Sequence, residues 1–472
     1  MGLNDEIVVK FKSNVYNQQM ENIVEKYALK SLKKTKIYNL YKVPNGIDPL
    51  KVANEIHETG LTIFSHPNFI VSAERFQVVP NDTYFNNQFY LNNTGQVIND
   101  GRFGTVDADI DAPDAWMITQ GNNDIIVAVL DDGISPNHPD LPNASQVRLN
   151  GSNFADGDPN NPSPANNLNH GNSCAGIIAA TANNNQGIAG IAPNCRIMPI
   201  RVFDSFAIGV GPATFADAIE FAVDNGADVI SNSWGYNSNN PNLHPVIVSA
   251  IQYAVNEGRV VVFAAGNSAR RTEGDNGFVS FPANVNIPSV LTVGASDRDD
   301  LQTDYSPTAN PGSSNNQIID LTAPSHRAYP PAAYAPNPGG IAGETFEVWT
   351  IDIPGNTGYN PWPALFAPGV PNNINPPAFG EVLPNVGPNF NNYTARFGGT
   401  SAACPQVAAT AALILSIYPN MTPQQVFDII TTSADPVGGY VYNNGVSNEL
   451  GHGRLNACQA LTEAVRIGTT IS

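Results

Sequence analysis

Two different rhythms of apolar and polar positions divide this chain. Over residues 6–74 short strand-like and helix-like stretches alternate. IVVKF (7–11) is followed by apolar positions Met20, Ile23, Val24 and Tyr27 at helical spacing, then by KIYNLYKV (36–43). A helix opened by Asp48 as cap and Pro49 in its first turn comes next, and LTIFSHPNFIV (61–71) closes the series. The order predicts a small βαββαβ, ferredoxin-like unit. From Arg75 to about Thr105 the chain turns polar and Asn-rich, which predicts a linker running into an irregular entry segment.

Beyond it, nearly continuous apolar runs recur: IIVAVL (125–130), RIMPIRVF (196–203), ADVISNSW (227–234), RVVVFAAG (259–266), SVLTVGA (289–295) and IIDLTAP (318–324). Amphipathic stretches such as ATFADAIEFAVDNG and PVIVSAIQYAVNEG lie between several of them. Strands without polar alternation are covered on both faces, so the pattern predicts a three-layer α/β/α domain around a mainly parallel sheet. Ligands of such a sheet sit outside the carboxyl ends of its strands. Residues 326–390, rich in Pro, Gly and Asn, break the rhythm and read as a long loop insertion. Helical spacing resumes at Ser401, and a further helix opens at Thr422, with Pro423 in its first turn and Gln425 completing a capping box.

Composition sharpens this division. The 472 residues carry 22 Lys+Arg against 41 Asp+Glu, a net charge of −19, which disfavours nucleic acid or an anionic membrane as partner. Residues 1–79 hold 10 of the basic and 8 of the acidic residues, leaving 12 and 33 for the rest, and every lysine lies at or before Lys51. A weakly cationic first unit is drawn towards a strongly anionic second one. The expected division is therefore 1–79 and 80–472. No apolar run approaches the ~20 residues that span a bilayer, and no basic-then-apolar leader opens the chain. That leaves either an intracellular protein or a secreted or cell-envelope one whose signal has been removed. Cys174, Cys195, Cys404 and Cys458 form no CxxC pair, which argues against zinc; their number fits two disulfides or four thiols, and a chain of this size favours mostly free thiols.

Four segments carry chemistry. In VAVLDDGISPNHPDL, Asp131 ends an apolar strand; in HGNSCAGIIAA, His170 opens a helix; in FGGTSAACPQVAA, Ser401 opens another behind a Gly-Gly-Thr turn; VVFAAGNSA places Asn267 after a strand. A serine hydroxyl becomes a nucleophile when a histidine takes its proton, and a buried carboxylate fixes that histidine's tautomer. Taken singly, Asp131 is a plausible turn residue and His170 or Ser401 a helix cap; four such segments in one order within an α/β frame point to a triad.

These motifs resemble the three catalytic motifs and the oxyanion segment of the subtilisin-like serine proteases, from roughly Tyr84 to GHGRLNA at 451–457. The resemblance implies a serine endopeptidase with Asp131, His170 and Ser401 as triad, and Asn267 with the Ser401 amide as oxyanion hole. It further implies Ser233, Trp234 and Gly235 as the edge along which substrate adds, and Ala264, Ala265 and Gly266 as the pocket wall for the residue before the cut. Asp132, second in Asp-Asp-Gly as in the kexin-like branch, is expected to favour a basic residue second before the cut, or else to be a solvated acid. Cys174, one turn after His170, reads as a packing residue or as a thiol through which mercury reaches the histidine. Structural calcium, common in the family, has weak candidates in Asp140 and the Asn183, Asn184, Asn185 turn; no cofactor is needed for the chemistry. The first unit resembles the family's inhibitory prodomains, with self-cleavage expected between about Ala73 and Pro80, and the polypeptide substrate and this prodomain are the expected partners. The 326–390 loop is expected to shape the leaving-group side. Two other uses of the scaffold are a transpeptidase or cyclase, in which an amine captures the acyl-enzyme, and a latent, non-catalytic binding protein.

Overall fold

The computed structural model describes residues 2–70, 78–98, 101–135, 137–142, 152–165, 168–206, 208–328, 347–354, 358–359 and 392–471. Most of the long insertion and most of the stretch expected to hold the self-cleavage site lie outside these. Two compact units divide the chain, Met1–Phe76 and Gln77–Ser472.

The first unit runs β1 (Gly2–Phe11), α1 (Asn17–Lys26), β2 (Lys30–Lys34), β3 (Asn39–Lys42), α2 (Pro49–Glu58) and β4 (Thr62–Ile70). Its strands form one sheet in the order β2-β3-β1-β4, with β1 antiparallel to both neighbours. Ile7 and Val9 of β1, Ile23 of α1, and Val52, Ala53 and Ile56 of α2 make its own core. Asp48 caps α2 by accepting from the Leu50 amide at 2.9 Å.

In the second unit the apolar runs become β5 (Ile126–Asp131), β6 (Arg196–Arg201), β7 (Val229–Asn232), β8 (Val260–Ala264), β9 (Leu291–Ser296) and β10 (Leu321–Pro324). They pair in parallel in the order β10-β9-β8-β7-β5-β6. Alternate residues of one strand serve opposite faces. Val127 and Val129 of β5 join one buried cluster, which contains α3 (His170–Ala179) residues Ile177 and Ile178. Ile126, Ala128 and Leu130 join the other, with residues of α4 (Pro212–Asp224) and α5 (Pro245–Asn256). Both faces are thus covered, which is why the strands show no polar alternation.

Through the first cluster runs α6 (Thr400–Ile417), followed by α7 (Pro423–Thr432) and α8 (Ala457–Ile471). The α6 helix is as long and apolar as a membrane span, but 89% of it is buried within the protein, so it is a core helix. Thr422 and Gln425 form the expected capping box at α7. An antiparallel pair, β11 (Val348–Ile351) and β12 (Tyr393–Phe397), leads straight into α6.

The entry segment is less of a linker than its polar composition predicts. Tyr84, Phe85, Phe89, Tyr90 and Leu91 are all buried, and Tyr84 stacks on Trp349 of β11 at 4.7 Å. Aromatic anchors at irregular spacing between asparagines leave no period to detect.

Candidate active site

The chain passes from β5 to β6 at one edge of the sheet and then returns to β7 on the other side of β5, so β5 and β7 flank the switch point where parallel sheets open a crevice. Asp131 is the last residue of β5, and Ser233 follows the end of β7. His170 opens α3, and Ser401 lies in the first turn of α6. Topology therefore brings residues 131, 170, 233 and 401 to one end of the sheet.

Asp131 is 2% exposed, and both its carboxylate oxygens lie 2.9 Å from His170 Nδ1. One of them also accepts from the Asp132 amide at 2.8 Å. Burial works against a charged His170 ring, but the facing Asp131 carboxylate outweighs it and holds His170 well above the ordinary imidazole range. Cys174 Sγ stands 3.9 Å from the same nitrogen, as its place one turn along α3 predicts. Burial pushes that thiol up to about 11, so it is neutral near pH 7 and Asp131 is the source of the rise. All four cysteines are free thiols.

Asp132 caps the helix that starts at the histidine. Its carboxylate accepts from the backbone amides of His170 at 3.0 Å and Gly171 at 2.7 Å. Burial first, and Asp131 beside it second, push Asp132 up to about 7. The carboxylate expected either to favour a basic substrate residue or to be a solvated acid is instead buried and holds the histidine's helix with both oxygens, while its edge lines the cleft.

Ser401 Oγ donates to the Ser233 carbonyl at 3.2 Å, and among the described residues no hydrogen bond joins it to His170. The contact belongs to the resting rotamer; catalytic hydrogen bonds commonly tighten only with substrate in place. Ser233 Oγ in turn donates to the Ser401 carbonyl at 3.0 Å. The turn before Ser401 is fixed from behind by His326, a residue without a sequence signal. Its Nδ1 accepts from the Gly399 amide at 3.1 Å, and burial holds it down to about 3, hence neutral. Any Cβ on Gly398 would run into that ring, and Gly399 sits at φ +76°, which together explain the Gly-Gly pair.

Asn267 is oriented by a residue the sequence reading passed over. Its Oδ1 accepts from the Thr400 amide at 2.9 Å and the Thr400 hydroxyl at 3.0 Å, which turns Nδ2 away as a donor. A pocket of about 260 Å³ lies beside it, lined by Ser233, Trp234, Gly235, Ala264, Gly266, Asn267 and Ser401 among others. Ala265 is not in this wall: it packs into the opposite core cluster, because successive residues leaving β8 point to opposite sides. A second pocket of about 320 Å³ adjoins it, bounded by Asp131, Asp132, His170, Leu168, Phe203, Ser233, Trp234 and Tyr359.

The other expected residues gather elsewhere. Asp140 accepts from Asn184 Nδ2 at 2.6 Å and the Ile188 amide at 3.2 Å, and Asp82 accepts from the Asn183 amide at 2.8 Å. Asn185 donates its amide to Asn81 Oδ1 at 3.0 Å. Burial pushes Asp140 up to about 7 and raises Asp82 as well, and the Asp82 charge raises Asp140 further. Two buried carboxylates, one raised by the charge of the other, thus bracket one Asn-rich turn, and carboxylate and amide oxygens are the donor type a hard cation takes. Asp82 was missed because it lies about 100 residues before the turn it meets.

The sequence profile of the Subtilase family matches residues 122–453. The chain is 34% identical over 386 residues to a calcium-dependent protease of Nostoc sp., covering 76% of this chain and 49% of that protein. It therefore spans about half the length of that relative. It is 28% identical over 463 residues to a thermophilic serine proteinase of Bacillus sp., covering 97% and 87% respectively. The crystal structure of a serine protease of Aeromonas sobria superposes with a TM-score of 0.63 at 21% identity, covering 89% of this chain and 70% of that one, and so shares the fold.

Proposed function

Because the chain belongs to the subtilase family, we propose that it is a serine endopeptidase that cleaves extended polypeptide segments through an acyl-enzyme on Ser401. The observation that carries this reading is the buried Asp131 carboxylate set 2.9 Å from His170 Nδ1, at the end of the sheet that also holds Ser401. Bound at Nδ1, the ring keeps its Nε2 lone pair for the serine proton. Substrate pairs by its backbone along Ser233–Gly235 and inserts the side chain before the cut between Ala264 and Gly266. Attack by Oγ puts negative charge on the carbonyl oxygen, which Asn267 Nδ2 and the Ser401 amide, at the positive end of α6, stabilise. His170 then returns the proton to the leaving amine, and water repeats the cycle on the ester.

Replacement of Asn267 by Leu removes one donor and leaves the triad in place. A loss on the order of 10²- to 10³-fold in kcat with little change in KM is expected, the range known for this donor in subtilisin, a relative. Unchanged kcat would remove Asn267 from the mechanism.

The first unit acts, on this reading, as a self-removed inhibitory prodomain. Its support is its own core, its excess of basic residues against the acidic remainder, and the Bacillus relative that aligns across nearly the whole chain. Purified 1–79 added in excess should inhibit the processed enzyme in trans; undiminished activity would make it an accessory domain.

Asp82, Asp140 and the oxygens of the 183–188 turn would hold a calcium ion, which supplies rigidity and no step of the chemistry. The calcium-dependent relative favours it. Calcium at about 100 times its Kd should add ~2.7 kcal/mol to stability. Because Asp140 titrates near 7, the gain should be larger at pH 8 than at pH 5. A thermal midpoint indifferent to chelator at both pH values would rule the ion out.

A further inference from the structure

The chain leaving β11 reaches Asp352, which is fully buried, and comes back towards the cleft at Gly358 and Tyr359. Asp352 Oδ1 accepts from the Ile353 amide at 2.7 Å and from the Tyr359 amide at 3.1 Å. Gly358 has φ +88°, and a Cβ there would run into the same carboxylate, so the turn that presents Tyr359 is built for glycine. The Tyr359 ring stacks on Phe397, with centroids 6.3 Å apart and 21° between planes. Phe397 in turn meets the His170 ring edge-on at 5.3 Å and 73°. Tyr359 thus stands at a fixed place beside the catalytic histidine, as one wall of the pocket of about 320 Å³.

Leu168, Phe203 and Trp234 give that pocket apolar or aromatic walls, beside Asn169, Ser233 and the Asp131–His170 pair. Asp132, at its floor, has both carboxylate oxygens on backbone amides. Burial holds the Tyr359 hydroxyl far above its ordinary range, so the ring is neutral. An extended substrate turns successive side chains to opposite sides. With the residue before the cut in the pocket of about 260 Å³, the next one back turns to the His170 side. The two pockets share Ser233 and Trp234, so one strand of substrate serves both.

We propose that Tyr359 is a specificity-determining residue: it completes an aromatic pocket beside His170 that selects a large apolar or aromatic side chain at the second position before the cut. The inference rests on the peptidase reading above. Volume, lining and the neutral, fixed ring all favour a bulky apolar occupant, and ring-on-ring contacts add to what burial alone supplies.

Peptides that differ only in having Phe, Leu or Ala at that position test it, with kcat/KM measured for the wild type, Tyr359→Phe, Tyr359→Leu and Tyr359→Ala. The wild type should prefer Phe over Ala. Tyr359→Phe should keep this preference, and Tyr359→Ala should reduce it on the order of tenfold, with Tyr359→Leu between. The ranking of residues directly before the cut should not move in any variant. A Phe-to-Ala ratio unchanged in Tyr359→Ala and Tyr359→Leu, or an equal loss on all three peptides, would overturn the proposal. A wild type that cleaves none of them would overturn the peptidase reading instead.

Discussion

Ser401→Ala should abolish peptide hydrolysis while leaving the fold intact. The side chain is 9% exposed at the residue level, donates one hydrogen bond, to the Ser233 carbonyl, and carries no packing that Ala cannot supply. Chemically the change is complete, since no acyl-enzyme forms without Oγ. Loss of this hydroxyl is worth on the order of 10⁶-fold in kcat in subtilisin, a relative, and a residual rate above water remains from the oxyanion donors. Activity on a chromogenic peptide, set against an unchanged thermal midpoint, checks both halves. A variant retaining more than a few per cent of wild-type kcat would show that another group is the nucleophile.

Asp131→Asn tests the other end of the relay. The amide is isosteric but offers His170 Nδ1 no negative charge and can hold the wrong tautomer, so kcat should fall on the order of 10⁴-fold. The pH profile gives a sharper reading. Asp131 raises His170 above its ordinary 6.5, and only the neutral ring accepts the serine proton, so the wild-type acid limb of kcat/KM lies above 6.5. Without the carboxylate the limb moves to lower pH. Stability runs the opposite way: the ion pair contributes fully below 6.5 and fades as pH rises through the higher folded value. An acid limb that stays where it was in Asp131→Asn would mean that the charge facing His170 comes from elsewhere.

Much of this arrangement was legible in the sequence because it follows from local rules. Strands β5 to β10 are near-continuous apolar runs, and the Thr422 cap and Gln425 partner are a three-residue signature that reappears in the structure. Asp131, His170 and Ser401 stood out as polar residues at the ends of apolar elements, and the fold brings all three to one end of the sheet. What the sequence hid are pairings across long separations. Thr400 orienting Asn267, His326 bracing the Gly398–Gly399 turn and Asp82 facing the Asn183 turn each join segments more than 70 residues apart. Ala265 was misplaced because the three small residues 264–266 look alike until strand alternation sends one to the core. Tyr359 had no signal, since it lies in a Pro- and Asn-rich stretch without periodicity and its meaning comes from Phe397, almost 40 residues on. Asp132 shows the opposite failure: the motif was visible, but only the geometry reveals that its carboxylate caps the histidine's own helix.

The central claim is that Asp131 and His170 make Ser401 Oγ a nucleophile. Its most direct test is the mass, with peptide mapping, of the incubated full chain after exposure to a fluorophosphonate, which reacts only with an activated hydroxyl. A single adduct on Ser401 in the wild type, absent from Ser401→Ala and strongly slowed in His170→Ala, is the predicted result. An unlabelled Ser401, or labelling indifferent to the loss of His170, would contradict the account.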